Sequence, residues 1–262
     1  MKKFYDYIQK KPYSLILFLL FPLFFIFYFS SSSFFFSYPP IQTSQLKIYY
    51  INLTQSTDRN QHMIQQCRGL PCIRISAVQG KKIDKNHLAP ILKKPMMRHN
   101  TIACFLSHIE CLERFLETKD DYAIIMEDDV QFSPHLFSKL DSILQENPNR
   151  KIDILFLGGT HVCGKHISPS LLKPIQQNKN CNAGAFAYLI SRKGAHSILQ
   201  SFFKHGIFDM YDHQIRTLFP SMHVYYTYPS LVKHDFQIES VRLEQNYKDD
   251  YVKIAQSVTI VN

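Results

Sequence analysis

The chain has 262 residues, 45% of them apolar and 19% charged. From about position 41 onward this is enough for one well-filled core and does not demand a second domain. The formal charge is +9, of which Lys2, Lys3, Lys10, Lys11 and Asp6 supply +3 and a scattered remainder +6; without a dense Lys/Arg stripe and interleaved aromatics, nucleic-acid binding is excluded.

Residues 1–12 read as a cytoplasmic tail. Tyr13 to Phe29 carries no charge, and the apolar run extends through Ser30 to Phe36, which predicts a transmembrane anchor over 13–36. A cleaved signal peptide, with Ser30 to Ser33 imitating a cleavage site, and a buried N-terminal helix are the competing readings. Four lysines precede the block and the next basic residue is Lys47. This bias predicts a single-pass membrane protein with a cytoplasmic N-terminus, its main domain in the Golgi or ER lumen of a eukaryote, or on an inner membrane if bacterial.

Residues 37–46 form a polar, proline-containing stem, and 47–262 the main domain. Lys47 to Leu53 is strand-like, and a polar turn places Asp58 as cap of a helix from Arg59 to Cys67. Arg74 to Val78 predicts a second strand, followed by a basic, irregular stretch to Asn100. From Ile102 to Thr118, Phe105, Ile109, Leu112, Phe115 and Leu116 recur at helical spacing. Tyr122 to Met126 is apolar on both faces, as in a central strand. A helix over Phe137 to Leu144, a strand over Ile152 to Leu157 closed by Gly158 and Gly159, and a strand over Phe186 to Ile190 follow. Ser191 is placed to cap a helix reaching about Phe203, and the remainder reads as irregular. Alternating strands and helices predict a three-layer α/β domain around a mixed, mostly parallel sheet, with its site at the carboxyl ends of strands.

Cys67, Cys72, Cys104, Cys111, Cys163 and Cys181 form no CxxC pair and show no zinc spacing. Cys104 and Cys111 share a helix face and suit buried thiols. Core thiols are the default for the others, with Cys67–Cys72 or Cys163–Cys181 bridges expected if the domain is lumenal.

Glu127, Asp128 and Asp129 directly follow the strand YAIIM. In an extended segment Glu127 and Asp129 point one way and Asp128 the other. Converging carboxylates repel unless a proton or cation lies between them, and Mg²⁺ or Mn²⁺ takes oxygen ligands of this kind and bridges them to a diphosphate. The competing reading is an acidic turn ahead of the Pro134 helix.

The segments IYYINLTQSTDR (48–59), ISAVQG (75–80), IACFLSHIECLERFLE (102–117), YAIIMEDDVQFSP (122–134), DILFLGG (153–159) and AFAYLISRKGAHSIL (185–199) together resemble glycosyltransferase family 25, a group holding lipopolysaccharide and collagen hydroxylysine galactosyltransferases. The resemblance covers about 48–235. It implies a GT-A-like fold, Mn²⁺ (or Mg²⁺) as cofactor, a UDP-sugar donor with galactose favoured, inverting transfer, and a glycan, glycolipid or protein acceptor.

By position, Asn52, Asp58 and Arg59 fall in the implied donor loop; Glu127, Asp128 and Asp129 in the metal and diphosphate motif, with Glu127 and Asp129 as metal ligands. Arg59 pairs either with the diphosphate or with Asp58. Ser107 and His108 approach the donor or pack in the core. Ala103 stands where the family has a glycine. Gly184 permits close approach to the sugar, whereas Tyr188 suits packing. Asp212 is the implied general base or a helix cap, Asp209 is its competitor, and His234 the late metal ligand. Asn52, Leu53 and Thr54 also spell an N-glycosylation sequon. The rival readings are a membrane-anchored, non-catalytic carbohydrate-binding protein on the same fold and a metal-dependent phosphoesterase or nuclease.

Overall fold

The computed structural model describes residues 39–175, 181–235 and 258–260. The expected tail (1–12), membrane span (13–36) and first two stem residues lie outside the described residues. Among the described residues no helix is long and apolar enough to cross a membrane. The longest, His99–Leu116, carries Glu110, Glu113 and Arg114 and is amphipathic. The single-pass localisation expected from the sequence is therefore corrected to this: no membrane-spanning helix is found among the described residues.

In chain order the main elements are β1 (Ile48–Asn52), α1 (Thr57–Gln66), β2 (Cys72–Ser76), α2 (His99–Leu116), β3 (Tyr122–Glu127), β4 (Val130–Phe132) and α3 (Leu136–Glu146). They continue with β5 (Ile154–Phe156), β6 (Val162–Ser168), β7 (Leu171–Pro174), β8 (Ala187–Ser191), α4 (Arg192–His205), α5 (Tyr211–Arg216), β9 (Val224–Thr227), β10 (Val232–His234) and β11 (Val258–Ile260). One nine-stranded sheet runs β11-β6-β7-β9-β5-β8-β3-β1-β2, and β10 with β4 makes a separate two-stranded ribbon.

The sheet is mixed, but not mostly parallel in its pairings. β8 lies antiparallel to both β3 and β5, and β7 antiparallel to both β6 and β9. The β1–β2, β1–β3, β5–β9 and β6–β11 pairs are parallel. Because β8 is reversed, its start lies beside the ends of β3 and β5, so residues just before Ala187 join the same edge as Asn52 and Glu127.

Alternation along the strands divides the core into two layers. Tyr49, Ile51, Ile125 and Tyr188 pack with α2 and α4 through Phe105, Ile109, Leu112, Ile198 and Phe202. Ile48, Tyr50, Ile124 and Leu189 pack on the opposite face with Met63 of α1 and Leu140 and Ile143 of α3. The central strands β1 and β3 are buried on both faces, which is why they read as continuous apolar runs.

Ser191 caps α4 as expected, its Oγ accepting from the Gly194 N–H at 3.0 Å. Helix α1 begins two residues earlier than expected, with Ser56 at its N-cap and Asp58 in its first turn. Cys67–Cys72 and Cys163–Cys181 are both disulfide-bonded, contrary to the default reading of core thiols. Cys104 and Cys111 stand outside these bridges on α2, Cys111 buried and Cys104 half-buried.

Candidate functional site

The site is built where β1 and β3 end side by side. Ile51 is the register partner of Glu127, so the next residues, Asn52 and Asp128, meet across the edge. Asn52 Nδ2 donates to Asp128 Oδ2 at 2.6 Å and to the Ser56 carbonyl at 3.2 Å, while Arg74 Nε donates to Asn52 Oδ1 at 2.9 Å. Asn52 is 1% exposed. Its amide is consumed by this network, so the sequon is closed to glycosylation in the folded state.

The expected orientation of the acidic cluster fails for one member, Asp129, which sides with Asp128 and not with Glu127. Glu127 turns to the α2 side, and Asp128 and Asp129 converge on Arg59, because the chain leaves the strand geometry after Glu127. Arg59 Nη1 donates to Asp128 Oδ1 at 2.6 Å, and Arg59 Nη2 pairs with Asp129 Oδ2. The cation that converging carboxylates demand is thus supplied by the protein. Asp58, the alternative partner considered for Arg59, is exposed on the first turn of α1 instead.

Burial pushes the Asp128 carboxyl up to about 6. Arg59 and the Asn52 hydrogen bond oppose that rise, whereas Asp129 and Glu127 add to it. Asp129 Oδ1 is buried and has no hydrogen-bond partner among the described residues.

His234 arrives from the far end of the chain. In the ribbon it is the register partner of Val130, and the Asp235 N–H donates to the Asp129 carbonyl at 2.7 Å. His234 Nε2 lies 3.4 Å from Asp129 Oδ2. Burial works against its charge, but the bond to Asp129 and the fields of Asp129 and Glu127 raise its pKa. The ribbon is docked by Leu157, whose carbonyl accepts from the N–H groups of Leu231 and Val232 at 2.7 and 3.0 Å. Gly158 makes this possible, since a Cβ there would lie 2.1 Å from the Val232 carbonyl oxygen.

On the α2 side, His108 is 1% exposed, with Nε2 3.4 Å from Glu127 Oε1 and Nδ1 3.2 Å from the Tyr188 hydroxyl. Its ring stacks on Tyr211 with centroids 4.1 Å apart, and the Tyr188 and Tyr211 hydroxyls lie 2.9 Å apart. Burial raises both phenol pKa values, so the hydroxyls stay protonated. Ser107 does not join this group: its Oγ donates to the Ala103 carbonyl at 2.7 Å and accepts from the Val78 N–H at 2.9 Å.

Asp212 sits in the first turn of α5. Its Oδ2 accepts from the Gly184 N–H at 2.8 Å and its Oδ1 from the His213 N–H at 3.0 Å. Gly184 has φ +82°, and a Cβ would meet Thr160 Oγ1 at 2.6 Å. As Gly184 lies just ahead of β8, Asp212 is brought to the sheet edge that carries the acidic cluster. Asp209 is half-buried and pairs loosely with Lys94 at 3.6 Å.

Asp129 and His234 therefore come together with Asp128 and Arg59, while Glu127 joins His108. Asp129 Oδ1, buried and without a hydrogen-bond partner, and the imidazole facing the Oδ2 of the same carboxylate are an oxygen and a nitrogen of the kinds that divalent ions take as donors. Arg74, Cys104 and the Tyr188–Tyr211 pair were not anticipated as parts of the site. Arg74 had one usable signal, a charged residue placed in a strand parallel to β1; the others depend on packing between α2, β8 and α5.

A family model described as glycosyltransferase family 25 (LPS biosynthesis protein) matches residues 45–213. An Anopheles gambiae glycosyltransferase 25 family member is 29% identical over 137 residues, covering 46% of this chain and 23% of its own length. Procollagen galactosyltransferase 1 of Danio rerio is 21% identical over 182 residues, covering 62% and 30%. A Bos taurus protein named "Probable inactive glycosyltransferase 25 family member 3" is 22% identical over 188 residues, covering 63% and 31%. The chain thus spans about a quarter to a third of the length of these curated relatives. Among solved structures, a glycosyltransferase involved in glycosylation of the major capsid of PBCV-1 aligns with TM-score 0.43 and 9% identity over 80% of this chain and 99% of that one, too loose a likeness to carry an argument. With the matched family model covering well over half of its residues, the chain belongs to glycosyltransferase family 25.

Proposed function

We propose that this domain transfers a hexosyl group, galactose before glucose or N-acetylglucosamine, from a UDP-sugar to a hydroxyl of a glycan, glycolipid or protein, with inversion at the anomeric carbon. The observation that carries the reading is the convergence of Asn52, Arg59, Asp128, Asp129 and His234 at one sheet edge, with a buried carboxylate oxygen of Asp129 left unpartnered.

In this reading Asp129 and His234 would hold Mn²⁺ or Mg²⁺, which would supply positive charge to offset that of the nucleoside diphosphate. Asn52 holds Asp128 in place, and Arg59 exchanges part of its pairing with the two aspartates for the diphosphate, whose oxygens match its planar fork. Glu127, anchored at His108, adds negative field at His234. Asp212 takes the proton of the acceptor hydroxyl as its oxygen attacks the anomeric carbon. A single in-line displacement of this kind inverts that carbon.

The test is UDP release from a panel of UDP-sugars with Mn²⁺, then with chelator, beside Asp129→Ala. Chelator-sensitive release that disappears in the variant supports the reading. A second reading, a non-catalytic carbohydrate-binding domain, draws on the name of the Bos taurus relative. Folded protein that binds glycans but turns over no donor with any acceptor would replace the first reading with the second.

A further inference from the structure

Cys104, His108 and Glu127 form a second cluster of metal-ligating side chains, apart from Asp129 and His234. One thiol, one imidazole nitrogen and one carboxylate oxygen lie within 4.8 Å of one another. Cys104 and His108 are separated by one helical turn on α2 and so share a face, while Glu127 is delivered to that face by the end of β3.

We infer that these three side chains form a binding site for a thiophilic divalent ion, Zn²⁺ in the first place, distinct from the hard-ion position at Asp129 and His234. The donor set of sulfur, nitrogen and oxygen is one that zinc takes in three-ligand sites with an open fourth position. The separation of two of the three suits it as well. Ligand atoms bound tetrahedrally to one zinc ion stand about 3.3 to 3.6 Å apart, given bonds of about 2.0 to 2.3 Å, and His108 Nε2 and Glu127 Oε1 are already 3.4 Å apart. That spacing is long for a charge-assisted hydrogen bond, which closes to about 2.7 to 2.9 Å.

The histidine is oriented as a metal ligand is. Its Nδ1 is engaged by the Tyr188 hydroxyl at 3.2 Å, and its ring is clamped on Tyr211, so Nε2 alone is directed at the cluster. A tautomer with the proton on Nδ1 donates to the Tyr188 oxygen, and Tyr188 in turn donates to Tyr211, 2.9 Å away. A ring nitrogen fixed this way leaves the other as a ready ligand. Access runs past Glu127, whose side chain is 22% exposed, and Cys104, which is half-buried.

The charge balance also closes. Binding releases the Cys104 thiol proton to solvent, and thiolate plus carboxylate then offset the two charges of the ion in a pocket where an uncompensated charge is costly. Because Glu127 also adds to the field at His234, occupation of this site withdraws negative charge from the neighbouring aspartate cluster.

The experiment is a Co²⁺ titration of the disulfide-intact chain, read by absorption and followed by displacement with Zn²⁺. One equivalent producing a thiolate-to-cobalt charge-transfer band with strong tetrahedral d–d bands, both bleached by Zn²⁺, is expected. Cys104→Ala and Cys104→Ser lose the charge-transfer band, whereas Cys111→Ala and Asp129→Ala retain it. Tyr188→Phe, which removes only the hydroxyl behind His108, weakens Zn²⁺ binding about tenfold to a hundredfold. A band that survives Cys104→Ala, or wild-type protein that shows only oxygen and nitrogen coordination at excess Co²⁺, overturns the site. Since the readout is spectroscopic, failure of sugar transfer leaves it untouched.

Discussion

His234 lies 3.4 Å from Asp129 because the segment that carries it crosses the backbone of Gly158 at a distance no side chain permits. Gly158→Ala puts a methyl group against the Val232 carbonyl and forces the β4–β10 ribbon outward. The expected result is a loss of about 1 to 3 kcal/mol in stability, as for other overpacked positions, with Mn²⁺ affinity weakened together with it. Urea unfolding and a Mn²⁺ titration by electron paramagnetic resonance check the two effects separately. Unchanged Mn²⁺ binding in a destabilised variant would detach His234 from the ion.

Arg59 spans two carboxylates that are 7% and 5% exposed. Arg59→Ala leaves them without their cation and should cost about 3 to 5 kcal/mol, the range for breaking a buried pair by removing one partner. Arg59→Lys restores the charge but not the two-pronged geometry, so it should recover part of the stability while kcat/KM for the UDP-sugar stays about tenfold or more below wild type. Urea unfolding and steady-state kinetics on both variants separate the contributions. Equal activity of lysine and arginine at this position would argue against diphosphate contact.

Asp128 is predicted to make the domain less stable as pH rises through a defined window. Its folded pKa of about 6 lies above the ordinary value of 3.8, so between these values the folded chain holds a proton that the unfolded chain has released. Stability contributed by this group is complete below about pH 4 and lost by pH values somewhat above 6. Asp128→Asn removes the titration. The difference in unfolding free energy, wild type minus variant, should therefore fall from pH 4 to 7, and a flat difference would refute the shifted carboxyl.

Asp212 has a structural task and a proposed chemical one, and two substitutions divide them. Asp212→Asn keeps an oxygen that accepts from the Gly184 N–H but abolishes basicity, so the fold should persist while kcat falls about a hundredfold or more. Asp212→Ala should lower both stability and kcat. Thermal unfolding and single-turnover transfer provide the readouts. An active Asp212→Asn protein would leave the residue with its structural role alone.

Much of the architecture was legible because its elements carry local signals. β1, β3, β5 and β8 are apolar runs of strand length, α2 repeats Phe105, Ile109, Leu112 and Phe115 at helical spacing, and Ser191 stands where a cap is needed. The β4–β10 ribbon and the β6–β7 hairpin were not visible. Three-residue strands have no period to detect, and Val162–Ser168 includes Gly164 and two exposed polar residues within its run. Strand direction was hidden too, since an apolar run does not distinguish β8 reversed from β8 parallel.

At the site, the sequence alone determined which chemical groups are available: a carboxylate triplet at a strand end, Asn52 at the end of the first strand and Arg59 after it, and a late histidine. It also carried the family, because ordered motifs survive as local strings. Only the tertiary structure decided which of these groups meet. Side-chain alternation holds within a strand and fails where the strand ends, so Glu127 went to His108 while Asp128 and Asp129 turned together to Arg59. His234 reaches Asp129, and Cys104 reaches Glu127, only because sheet and helix packing closes distances that chain separation leaves open.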